Sequence, residues 1–186
     1  MHRTLSLLAV LVIFAFGAPG LRAGQSESPV ILTIAGDIGA SNRSGLDAFR
    51  DGFLNYHEKT FKAAFQFTRA ELAALPQVEI VAHGASEAWT KPVALKGPLL
   101  TDVLARAGAG GKSVTLVALD GYAAELDPAA QSAQKWILAH SMDGKPLSLG
   151  GRGPLWLARD TGSGKASEEE LAKWVWSVFY IEVGMQ

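Results

Sequence analysis

Read from residue 28 onward, apolar positions fall into short runs whose spacing alternates between two and three to four. The run PVILTIAGD is short and β-branched and predicts a buried first strand ending at Gly36. IGASNRSG, 38 to 45, reads as a loop. LDAFRDGFLNYHEKTFKAAF then places Leu46, Phe49, Phe53, Leu54, Phe61 and Phe65 at spacings that predict helical turns packed by aromatics, weakened at Gly52 and Asn55. Thr68 with Glu71 three residues later is a capping box, and Pro76 stops the helix it opens. VEIVA (78 to 82) and VAL (93 to 95) predict strands on either side of a loop. Pro98 at a helix start leads into LLTDVLARAG, which puts Leu99, Leu100, Val103 and Leu104 on one face and ends at Gly108.

The C-terminal half predicts mostly strands. SVTLVALDGYAAEL is the strongest hairpin signal, two β-rich runs joined at Asp120-Gly121. KWILAHSM and KPLSL predict a second hairpin at Asp143-Gly144. GPLWLARD predicts a strand, ASEEELAK a short helix capped by Ser167 with Glu170 at its third position, and WVWSVFYIEV a last strand long enough to be buried. Strands dominate over short, irregularly placed helices, so the class is α+β with a mixed sheet or barrel.

The first 23 residues fall outside that pattern. MHRT gives a positive start, LSLLAVLVIFAF a compact apolar run, and APGLRA a breaker followed by small residues, the order found in a secretory signal peptide. The apolar run meets Gly17, Pro19 and Gly20 before the roughly 20 residues a membrane span needs. Residues 1–23 are thus read as a cleaved signal and 24–186 as a single domain, predicting a periplasmic or secreted protein with no membrane segment after cleavage.

Composition narrows the chemistry. Lys and Arg total 17 against 18 Asp and Glu with no basic block, which argues against nucleic acid as a partner. The chain has no cysteine, which excludes disulfides, iron–sulfur ligation and a thiol nucleophile. GGKS at 110 to 113 lacks the earlier glycine of a phosphate loop and lies between a helix and a strand, the wrong context. HEKTF at 57 to 61 lacks the second histidine of a zinc pair, and His57, His83 and His140 lie far apart without ligand spacing. No catalytic residue and no metal site is assigned. The five tryptophans, at 89, 136, 156, 174 and 176, are read individually as core and sheet packing.

Several segments in order carry a family likeness: EAW (87 to 89), KGPLLTDVLARAG, ALDGYAAEL (118 to 126), ILAHSMDGKPL (137 to 147), GPLWLARD (153 to 160) and KWVWSVFYIEV. In this order the chain from about Val30 to Val183 resembles the oxidoreductase molybdopterin-binding domain. That resemblance implies a sulfite-oxidase-type fold, a mixed, barrel-like sheet with short peripheral helices, built to hold molybdenum on a pterin dithiolate. It also implies a cysteine four residues before the tryptophan and twelve before the helix-opening glycine. Counted from Trp89 and from Gly97, both intervals land on Ala85. A methyl group has no lone pair for a soft metal, and Ser86 offers only a hard oxygen, so the family's redox reaction is not expected. The tyrosine-glycine stretch that precedes KW in the family is also missing; TGSGKASEEELAKW stands there.

The resemblance places His83, Ala85, Ser86 and Trp89, with Asp120 and Tyr122, where family members approach cofactor or substrate. Lys91, Arg152 and Arg159 are added as anion contacts. The expectation is a non-catalytic exported module that binds a small-molecule ligand or a periplasmic protein partner. No cofactor is expected; molybdopterin, held by its own phosphate and ring contacts, is the one candidate. The alternative is a molybdenum-pterin oxidoreductase whose metal site uses His83 or solvent instead of sulfur.

Overall fold

The computed structural model describes residues 28–184; the predicted signal peptide lies outside them. Val30–Gly36 (β1) lies in a six-stranded sheet. It pairs parallel with Val178–Val183 (β12) on one side and antiparallel with Ala63–Thr68 (β3) on the other. Beyond β3 comes Arg43–Ser44 (β2); beyond β12 come Val114–Ala118 (β6) and Ala123–Leu126 (β7). A second sheet has the order β10-β9-β5-β4, formed by Lys145–Pro146 (β10), Ser141–Met142 (β9), Val93–Pro98 (β5) and Gln77–Ala82 (β4). Trp136–Ala139 (β8) and Trp156–Arg159 (β11) pair as a third. Five short helices accompany them: Gly52–Tyr56 (α1), Arg69–Ala74 (α2), Leu100–Arg106 (α3), Pro128–Ala133 (α4) and Glu168–Leu171 (α5).

The class is α+β with mixed pairing, but the sheets do not close into a barrel. Closure requires every strand to have two partners, and β2, β7, β4 and β10 each end a sheet.

Alternation along the central strands gives the large sheet two covered faces. Ile34, Leu116 and Ile181 join the main core, whereas their neighbours Ala35, Val117 and Tyr180 join a second cluster with Leu54 of α1. The main core runs through all three sheets, from Leu32 and Leu95 to Leu138 and Leu157. Gly97 shows how closely they approach: a Cβ there would stand 2.0 Å from the Leu138 carbonyl oxygen.

Several sequence expectations require correction. Only Gly52–Tyr56 of the predicted helical stretch is helical, because Ala64 faces the second cluster while Phe65 and Phe67 pack on the main core. This period of two makes AAFQFT a strand. Pro98 ends β5, and α3 begins only at Leu100. The Asp143-Gly144 turn exists, with positive φ at both residues, but it joins only β9 to β10; the chain breaks at His140 and β8 pairs with β11. The last strand starts at Val178, after Ser177 takes a φ of 56°. Helix α4 was not expected, although Asp127 caps it and Pro128 opens it. Both predicted capping boxes form.

Candidate functional site

The segment between β4 and β5 is pinned at its start to the strand-like stretch before α5. Ala85 N–H donates to the Ala166 carbonyl at 2.8 Å and Ala166 N–H to the His83 carbonyl at 2.7 Å. A turn follows, with Trp89 N–H donating to the Ser86 carbonyl at 3.0 Å. The Trp89 indole then lies back against Gly84, where a Cβ would fall 2.4 Å from its Nε1. Glycine is needed there because the ring occupies the space a side chain would take.

Trp89 is the half-exposed member of an aromatic cluster. Its ring centroid is 5.7 Å from Trp156 and 5.9 Å from Trp174, and those two lie 6.3 Å apart in an edge-on arrangement. Trp156 and Trp174 are 2% and 4% exposed, and neither buried indole N–H has an acceptor. Arg152, in the loop between β10 and β11, brings its guanidinium to this cluster. Its central carbon is 4.6 Å from the Trp156 ring centroid, 4.7 Å from Trp176 and 5.8 Å from Trp89. Among the described residues its side chain has neither a hydrogen bond nor a carboxylate partner. Burial lowers its pKa from the usual arginine value.

Two openings meet at Arg152. One, of about 120 Å³, is walled by Trp89, Lys91, Met142, Arg152 and Trp156. The other, of about 470 Å³, runs past Met142, Lys145, Pro146, Leu147 and Arg152. Lys91 approaches Asp143 at 3.8 Å with both side chains well exposed, a pair worth little. Asp143 also accepts the Ala94 N–H at 2.9 Å.

The sequence-derived residues are only partly assembled. His83 stands 6.4 Å from Trp89, ring to ring, and with Ala85, Ser86 and Trp89 belongs to one loop. Asp120 and Tyr122 occupy the β6–β7 turn. There Asp120 accepts the Tyr122 N–H at 3.0 Å and the Tyr122 hydroxyl donates to the Ala172 carbonyl, not to the loop. Both places border the end of α5: Leu171 packs at Gly84, and the Ala172 carbonyl accepts from Tyr122. Arg159 lies apart: it is paired with Glu170 and borders a separate cavity of about 190 Å³ with Trp136 and Lys173. Glu170 is held below the usual carboxylate range chiefly by the Ser167 N–H, so it serves the helix cap. The convergence of Trp89, Trp156 and Trp176 on Arg152 was not read from the sequence. The density of tryptophan between 156 and 176 was the only signal.

Ala85 is exposed and presents carbon where a thiolate would bind metal. Among the described residues no three His, Cys, Asp or Glu side chains gather as a ligand set. The residues present do not fit a molybdenum centre.

Comparison with known proteins adds the fold. No protein-family model and no curated protein matches the chain. Among solved structures it is similar to the sulfane dehydrogenase SoxCD from Paracoccus pantotrophus, with a TM-score of 0.54 and 16% identity over 83% of this chain. The match spans 38% of the length of that chain. At this identity the likeness is a distant relation of fold.

Proposed function

We propose that this chain is an exported binding module that keeps the architecture of a molybdopterin oxidoreductase domain without its redox reaction. On this reading it holds a small ligand at the opening between Trp89 and Arg152. The observation that carries it is a half-buried cation set against tryptophan rings at the mouth of an aromatic cleft, with no acceptor among the described residues. The resemblance in sequence order and the fold shared with a sulfane dehydrogenase support the ancestry; carbon at position 85 supports the loss of chemistry.

The test is elemental analysis and oxidised-pterin fluorescence on protein exported by a host that makes the cofactor. The expected result is no molybdenum and no pterin in the parent chain. One tightly held molybdenum per chain would overturn the reading. Ala85→Cys separates one lost ligand from wider change: with Trp89 lying over Gly84, the variant is expected to stay metal-free as well.

A further inference from the structure

We propose that Arg152 is the receptor for a carboxylate carried on a flat apolar body, the ligand lying along the two openings that meet at its guanidinium. The inference rests on the binding reading above and names its ligand class. Guanidinium has two kinds of surface. Its faces stack on aromatic rings; its edge carries five N–H donors in one plane. Here Trp156 and Trp176 lie within 4.7 Å of the guanidinium carbon, and Trp89 within 5.8 Å, so the rings engage the cation while the edge finds no acceptor among the described residues.

The donors of Arg152 face the two openings, where water serves them until a better-matched acceptor displaces it. The group that matches a planar fork with two parallel hydrogen bonds is a planar carboxylate. The walls define the rest of the ligand. Met142, Pro146 and Leu147 border the larger opening, and Trp89 offers an indole at the smaller one, surfaces suited to an aromatic or flat aliphatic body. Lys145 at the rim of the larger opening adds positive charge that favours an incoming anion. Asp143 itself lines the larger opening, but it accepts the Ala94 N–H and lies 3.8 Å from Lys91, which offsets its charge. A compact dianion such as phosphate fits less well, because one arginine among apolar walls leaves much of its charge without compensation.

The experiment is calorimetric titration of the purified protein with 2-naphthoate, 2-naphthamide and inorganic phosphate, repeated on Arg152→Lys and Arg152→Gln. Thermal unfolding of each variant checks that it is folded. Naphthoate is expected to bind the parent, with naphthamide and phosphate at least about tenfold weaker. Arg152→Lys should weaken naphthoate about tenfold, because a point charge cannot reproduce the fork, and Arg152→Gln more than that. A shift of the Arg152 Nε–H resonance on adding naphthoate locates the contact if the Gln variant fails to fold. The proposal is overturned by equal binding of naphthoate and naphthamide, by phosphate as the tighter ligand, by a Lys variant as tight as the parent, or by no carboxylate binding at all. Each of those outcomes leaves the parent free of molybdenum, whereas failure of the underlying reading would appear as bound metal.

Discussion

Two regions of this molecule set a cation against aromatic rings, and they differ in what meets the cation's edge. On the outer face of the large sheet, Arg43 sits 5.1 Å from the Phe61 centroid while its edge donates twice to Asp51, at 2.6 and 3.1 Å. Lys59 lies 5.5 Å from the Tyr180 centroid and pairs with Glu182 at 3.3 Å. At the other site Arg152 lies 4.6 and 4.7 Å from the Trp156 and Trp176 centroids, and its donors meet no acceptor among the described residues. Where the protein supplies the carboxylate, the cation fastens α1 and its neighbouring loops to the sheet. Where it does not, the same geometry is left to recruit a carboxylate from outside.

The comparison can be broken first at Asp51. Both members of its pair have less than a fifth of their side chains exposed, so Asp51→Ala leaves a largely buried guanidinium with only the Ser44 and Gly45 carbonyls and no counter-ion, and should cost about 2 kcal/mol by urea denaturation. The Arg43 hydrogen bond, more than the opposing burial, holds the Asp51 carboxyl below its ordinary range. Its contribution is therefore present above the unfolded value near pH ~3.9 and is lost as pH falls through the folded one. Asp51→Asn should flatten that acid limb.

A smaller effect is expected at the empty site. Arg152→Met removes a cation–π contact but also a desolvated charge with no partner, and should change stability by less than about 1 kcal/mol in the absence of ligand. A loss matching that of Asp51→Ala would erase the distinction between the two regions.

The smallest effect sharpens the contrast with a third basic group. His140 is half-buried, with Nε2 2.8 Å from Gln77 Oε1, and burial, followed by the Arg69 charge, lowers its pKa. Histidine can escape the cost of burial by giving up its proton, an exit closed to arginine. The unfolded chain then binds more protons below about pH 6.5, so stability should fall as pH drops from there towards the folded pKa and level off beneath it. His140→Asn should remove that slope in urea titrations taken between pH 7 and 5.

Local chemistry was the most legible part of the fold. Thr68 with Glu71, Ser167 with Glu170, and Asp120-Gly121 all act within a few residues, and all form as read. What failed depended on distant partners. AAFQFT became a strand because β1 lies beside it, and WILA left its apparent hairpin because β11 offered a longer ladder than KPLSL. At the site, Trp89 and the loop from His83 were singled out only through the family resemblance. The meeting of Arg152 with Trp156 and Trp176 depends on how the loop after β10 packs over β11, which no local period encodes.

The crowding of indoles has an optical consequence. Transition dipoles in rings 5.7 to 6.3 Å apart couple, so Trp89, Trp156 and Trp174 absorb as a shared excitation and pass energy among themselves before emitting. The protein thus carries a chromophore of its own beside the cleft, and a guest that tilts Trp89 would alter the near-ultraviolet circular dichroism of all three rings together.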